Sequence, residues 1–182
     1  FGIYVTAGSV ISIFNNFVSD IEAPNSYSSN AVTGISMTNP LINSFAYIYY
    51  NTVYLNTSGA FNFGSTGLMI ASSSVSTTSL LDLKSNIIIN LSTPGTVSGI
   101  CAAYRRSVLY LDNFGLGSDY NLFYVGSPSA NKLIFYDNTN SDQTIEEYKI
   151  RVAPRETHAK SFPVFFQNTA SADLHLAGAS VG

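Results

Sequence analysis

General acid–base chemistry needs carboxylates, often with an Arg or Lys beside them. In this chain the side chains able to do such work are Asp82, Lys84, Arg105, Arg106, Asp112 and Asp119. A lyase site needs several carboxylates converging on calcium, and Arg105, Asp112 and Asp119 are the candidates for a catalytic set. Glycoside hydrolysis needs two carboxylates about 5–9.5 Å apart, for which Asp112 with Asp119 is the attractive pair. Against both stands the rest of the chain. Residues 1–81 contain Asp20 and Glu22 as their only charged side chains, with no Lys or Arg. Asp82 and Lys84 lie two apart, on one face of a strand. Lys84 and Asp119 each sit two residues before an Asn, a spacing that suits an ion pair across stacked strands. On a surface such a pair contributes about 0–1 kcal/mol. Glu146 and Glu147 read as the first turn of a helix, where negative charge is favoured.

Other chemistries find less. His158 and His175 have no metal-ligand spacing and no Cys or His cluster around them, so no metal site and no cofactor are expected. The single cysteine, Cys101, lies in the apolar run Gly99-Ile-Cys-Ala-Ala and reads as a small buried hydrophobe. There is no Gly-x-Ser-x-Gly elbow, phosphate loop or dinucleotide fingerprint. A net charge of −3 and a pI near 5.1 argue against nucleic acid as a partner. Tyrosines supply the surface chemistry. Tyr47, Tyr49, Tyr54, Tyr110 and Tyr124 fall on expected strands, several alternating with core positions. Exposed rows of Tyr can stack on sugar rings or pack on another solenoid. They can equally be ordinary outer-face β residues.

The elements that position these residues are repeats. Asn16, Asn51, Asn86 and Asn121 lie 35 residues apart each time. Gly2-Ile3, Gly34-Ile35, Gly67-Leu68 and Gly99-Ile100 recur at spacings of 32, 33 and 32. Between the two markers run short alternating stretches such as Ile11-Ser-Ile13, Ala46-Tyr-Ile48 and Leu81-Asp-Leu83. In coil four the corresponding stretch is Val108-Leu-Tyr-Leu111. Two residues after each Asn stands Val18, Val53, Ile88 or Phe123. Alternation bounded by Ser, Thr, Asn and Gly is the signature of strands. Three strands per repeat, with a turn Asn, predict a parallel β-helix whose turns share one core. The four asparagines are then a structural ladder, each amide hydrogen-bonded to its equivalents in neighbouring coils. About four coils of 32–35 residues are expected. Coil four is irregular: Asp112-Asn113 itself aligns with Ser85-Asn86 if Phe114–Asp119 is an insertion. A two-sheet sandwich is the fold alternative, but it does not predict a fixed 35-residue spacing.

Composition agrees with strands. Hydrophobic residues make up 46% of the chain and charged ones 10%, well below the roughly 25% of ordinary soluble domains. Charge concentrates between Asp137 and Lys160, which marks a change of structural type near residue 137, and the repeat pattern changes from Lys132. Residues 1–131 read as coils. Residues 132–182 read as a last strand, a short helix begun by the capping box Thr144–Glu147, and a tail covering the open end of the solenoid. No stretch is long and apolar enough to span a membrane. No signal peptide is visible, and the start at Phe1 inside a repeat reads as a piece of a longer protein.

These residues resemble a known family. The strand–Asn–strand coils, Asp119-Tyr-Asn-Leu-Phe-Tyr124, Thr144-Ile-Glu-Glu-Tyr148, Phe162-Pro-Val-Phe165 and Asp173-Leu-His-Leu176 look like bacterial secreted right-handed parallel β-helix proteins of the pectate-lyase-like superfold. In that comparison Tyr148 stands for a Trp, Glu156 for an Asp, Ala159 for a Ser, and Phe162 for the residue before the proline. Gly178–Gly182 resembles the point where such proteins continue into a further segment. The resemblance implies an extracellular or cell-surface location. The expected function is a non-catalytic structural or adhesion scaffold, with self-association, other cell-surface proteins or polysaccharide as partners. Carbohydrate binding or cleavage along the outer face of the coils is the alternative.

Overall fold

The computed structural model describes residues 1–38, 43–71 and 80–178. It is a parallel β-solenoid of about three turns with a short helix and loop region. The first turn holds β1 (Ile3–Val5), β2 (Val10–Phe14) and β3 (Phe17–Val18). The second holds β4 (Val32–Met37), β5 (Phe45–Tyr49) and β6 (Thr52–Leu55). The third holds β7 (Ser65–Ile70), β8 (Leu80–Lys84) and β9 (Ile87–Asn90). β10 (Cys101–Arg106) and β11 (Leu122–Tyr124) follow, then β12 (Lys132–Tyr136), the two-residue β13 (Ser141–Asp142) and α1 (Ile145–Val152). Last come β14 (Phe166–Asn168) and β15 (Asp173–Leu176).

Each strand of a turn belongs to a different sheet. The first sheet runs β1-β4-β7-β10-β12, all parallel, with β13 antiparallel at its edge. The second is β2-β5-β8 and the third β3-β6-β9-β11, both parallel. In β2, β5 and β8 the alternation seen in the sequence decides the facing. Ile11, Ile13, Ala46, Ile48, Leu81 and Leu83 point into the common core. Val18, Val53, Ile88 and Phe123 enter it from the third sheet. β4 is buried along its whole length, as a strand covered on both faces must be.

The fourth repeat departs from the expected coil. Val108–Leu111 forms no strand. The second sheet is continued only by isolated bridges from Leu81 to Phe114 and from Lys84 to Asp119. From Leu81 to Lys84 is three residues and from Phe114 to Asp119 five, so the two extra residues of 114–119 are taken up as a bulged turn. Asn113 therefore does not align with Asn86, and Asn121 does. The glycine marker also shifts. Ala102 pairs with Thr66 and Tyr104 with Leu68, so Ala103, not Gly99, lies opposite Gly67. At Gly67 an added Cβ would meet Ile88 Cγ2 at 2.4 Å and the Ala103 carbonyl at 2.7 Å, which is why that row stays small.

The capping box is formed. The Thr144 hydroxyl accepts from the Glu147 amide at 3.2 Å, and Glu147 Oε2 accepts from the Thr144 amide at 3.0 Å. Ile145, Tyr148 and Val152 on one side of α1 join the core. Tyr148 packs among Tyr104, Phe123 and Phe135 with ring centroids 5.2–6.1 Å apart. The antiparallel β14–β15 hairpin lies against the third sheet, with Phe166 edge-on to Tyr54 and His175 edge-on to Phe17. The continuation expected at Gly178–Gly182 falls outside the described residues beyond Gly178.

Candidate functional site

A polar ladder sits at the turn between the second and third sheets. Asn16 Nδ2 donates to Asn51 Oδ1 at 2.8 Å, Asn51 to Asn86 at 3.0 Å, and Asn86 to Asn121 at 2.9 Å. Each accepting oxygen also takes the backbone amide of the preceding Asn. The residue before each Asn (Asn15, Tyr50, Ser85 and Tyr120) has a φ of 54–61°. That left-handed conformation costs a non-glycine residue about 1–2 kcal/mol, and the ladder's hydrogen bonds hold it. The ladder ends on a charge-bearing group. Asn121 Nδ2 donates to both oxygens of Glu156, at 2.9 and 3.0 Å, and the Tyr148 hydroxyl stands 3.4 Å away. Glu156 is wholly buried. Burial pushes its carboxyl up to about 8, against the lowering effect of the Asn121 hydrogen bond. Glu156 is one more 35-residue step beyond Asn121. Counting on by one period finds it, although its change of type hid it among the asparagines.

Outward from β2, β5 and β8 lies an exposed apolar face. The register aligns Val10, Phe45 and Leu80, then Ser12, Tyr47 and Asp82, then Phe14, Tyr49 and Lys84. Phe14 and Tyr49 are stacked with centroids 5.5 Å apart, Tyr47 and Tyr49 stand 5.9 Å apart, and Tyr50 meets Tyr49 edge-on at 6.3 Å. Val10 is 64% exposed and Phe14 45%. At one edge the Tyr49 hydroxyl donates to Asp82 Oδ2 at 2.5 Å, and Lys84 Nζ pairs with the same oxygen at 2.9 Å. The Lys84 ammonium also lies over the Tyr49 ring, 5.5 Å from its centroid. Burial, then the hydrogen bond and charge of Asp82, raise the Tyr49 hydroxyl far above its ordinary value, so it acts as a donor. Phe14, Tyr49 and Lys84 all sit two residues before a ladder Asn, a signal that would have placed them in one row.

The remaining candidates are dispersed. Tyr54 and Tyr124 both align with Ile89 on the third sheet, the sheet against which the β14–β15 hairpin packs. Tyr110 lies outside any strand and is half exposed. Arg105 is held outside the first sheet by Asn30 Oδ1 at 2.5 Å and Asn138 Oδ1 at 2.9 Å, over the Tyr136 ring. Burial lowers its pKa. Arg106 is fully buried, donating to the Tyr104 hydroxyl, the Tyr110 carbonyl and Asn113 Oδ1. Asp119 does bridge Lys84 through the backbone, but its carboxylate takes the His158 ring at 2.7 Å and the His158 and Tyr120 amides. Burial raises the Asp119 carboxyl, and those hydrogen bonds outweigh it, leaving it below the usual range. Asp112 shares no hydrogen bond with Asp119 or Arg105 among the described residues. Asp20 and Glu22 line a cleft of about 230 Å³ with Tyr54, Asn56 and the turn at Thr169.

Among the described residues no group of three or more His, Cys, Asp or Glu could hold a metal ion. No helix is long and apolar enough to cross a membrane. No protein-family model, curated protein or solved structure matches the chain. The fold is compatible with scaffold and carbohydrate-binding roles in general.

Proposed function

We propose that this chain is a non-catalytic structural or adhesion scaffold, part of a right-handed, pectate-lyase-like β-helix of an exported bacterial surface protein. In this reading the strands stack as four coils, the last one irregular, and residues 132–178 cap the end of the solenoid. The protein works at the cell surface or outside the cell. One observation carries the reading. The third sheet is packed by the chain's own β14–β15 hairpin, while among the described residues no element packs on the outer face of β2, β5 and β8. A bare, rigid apolar face rimmed by polar groups marks a contact surface. Its partners are copies of itself, other surface proteins or polysaccharide. The Asp82–Lys84–Tyr49 cluster within that face favours polysaccharide binding as the second reading, since it supplies hydroxyl-matching donors and acceptors.

The deciding assay is turnover of acidic and neutral polysaccharides at high protein concentration, with and without calcium. The scaffold reading expects no product from any polymer. Product release lost on Arg105→Ala or Asp119→Ala would make the chain an enzyme and sink that reading.

A further inference from the structure

We infer that the outer face of β2, β5 and β8 binds an uncharged glycan chain. The inference rests on the reading of this face as a contact surface, and it names the ligand class. A pyranose ring offers an apolar C–H face and a rim of hydroxyls. Binding it takes aromatic area beside paired hydrogen-bond donors and acceptors. Tyr49 is the hub of an aromatic cluster, with the Phe14, Tyr47 and Tyr50 rings 5.5, 5.9 and 6.3 Å from it. Asp82 and Lys84 at its edge present a carboxylate and an ammonium side by side, with side chains 18% and 40% exposed. A sugar hydroxyl donates to the first and accepts from the second.

The arrangement is also pre-organised. The Tyr49 ring is pinned by its hydroxyl on Asp82 and by Lys84 above it, so little side-chain freedom is left to lose on binding. Charge decides which glycan. The single cation of the face, Lys84, is neutralised by Asp82 at 2.9 Å. Residues 1–81 contain no Lys or Arg, and the whole chain has a net charge of −3. A polyanion would find no free positive charge here and would be repelled at long range. An uncharged chain meets no such barrier.

The test is affinity electrophoresis of the whole chain through gels containing hydroxyethyl cellulose, laminarin, galactomannan or polygalacturonate. At least one of the three neutral polymers retards the protein, and polygalacturonate does not. Tyr49→Ala and Phe14→Ala each weaken retardation by about tenfold or more, while Ile150→Ala on the exposed side of α1 leaves it unchanged. Should Tyr49→Ala melt early, the exposed Phe14→Ala and the ring-preserving Tyr49→Phe decide: the first loses retardation and the second keeps most of it. Migration unaffected by every neutral polymer, preferential retardation by polygalacturonate, or full retardation of both alanine variants would overturn the inference. Sedimentation velocity separates it from the broader reading. Self-association abolished by Tyr49→Ala, with no glycan retardation, removes the glycan and leaves the scaffold. Retardation with cleavage of the polymer removes the scaffold and leaves the glycan site.

Discussion

Glu156 closes a row that is otherwise made of amides. An amide can donate and accept, so each Asn serves the coil on either side. A carboxyl at the end can accept both Asn121 contacts and need not pass them on. Its folded-state pKa of about 8 lies above the ordinary 4.5, so the folded chain keeps a proton that the unfolded chain has released. Stability from this group is therefore full below about pH 4.5 and is lost as pH rises through about 8. At about 1.4 kcal/mol per unit the span is on the order of 5 kcal/mol. Glu156→Gln keeps the shape without the charge. Urea unfolding at pH 5 and pH 8.5 should show wild type losing stability across that interval and the variant holding nearly constant. Equal slopes in both proteins would show that Glu156 is not the titrating group.

Among the elements, the turn between second and third sheets carries the polar load of the solenoid. Asn86 is a middle rung. Asn86→Ala would strip the acceptor from the Asn51 backbone and side-chain amides, and the donor from the buried Ile48 carbonyl. Leaving such groups unpaired costs about 1–3 kcal/mol, so a loss of about 3 kcal/mol in denaturant unfolding is expected. Asn16 is an end rung and only partly buried, and Asn16→Ala should cost under about 1 kcal/mol by the same measurement. A smaller loss at Asn86 than at Asn16 would contradict the ladder as the source of turn stability. Gly67→Ala probes the opposing wall. Its Cβ would press on Ile88 and on the neighbouring strand's backbone, and a destabilisation of about 1–3 kcal/mol is expected.

At the scale of the whole molecule, an aromatic cluster ties α1 to the coils. Tyr148 projects from α1 into the space between Tyr104, Phe123 and Phe135, and its hydroxyl reaches Glu156. Tyr148→Ala should cost about 3–5 kcal/mol, as for other large buried rings. It should also loosen α1 from the edge of the coils, baring strand edges that pair with other chains. Light scattering during incubation should then rise faster for the variant than for wild type. A monodisperse Tyr148→Ala protein with unchanged melting would argue that this ring is not what holds α1 to the coils.

The 35-residue spacing of Asn, the inward alternation of Ile11, Ile48 and Leu83, and the box at Thr144 were all legible in the chain. Each is a local preference: which side chain suits a buried strand face, a tight turn or a helix start. They were enough to establish a parallel solenoid and the helix that follows it. Tertiary structure alone decided the register of the fourth repeat, where Ala103 takes the place expected of Gly99 and Val108–Leu111 forms no strand. An insertion carries no local mark of how many residues it adds, and only pairing with β7 and β8 sets the count. Tertiary structure also placed Glu156 under Asn121 and folded β14–β15 against the third sheet, leaving the second bare. Those outcomes depend on contacts between residues 35 or more apart. Their energies belong to surfaces that exist only once the coils have stacked.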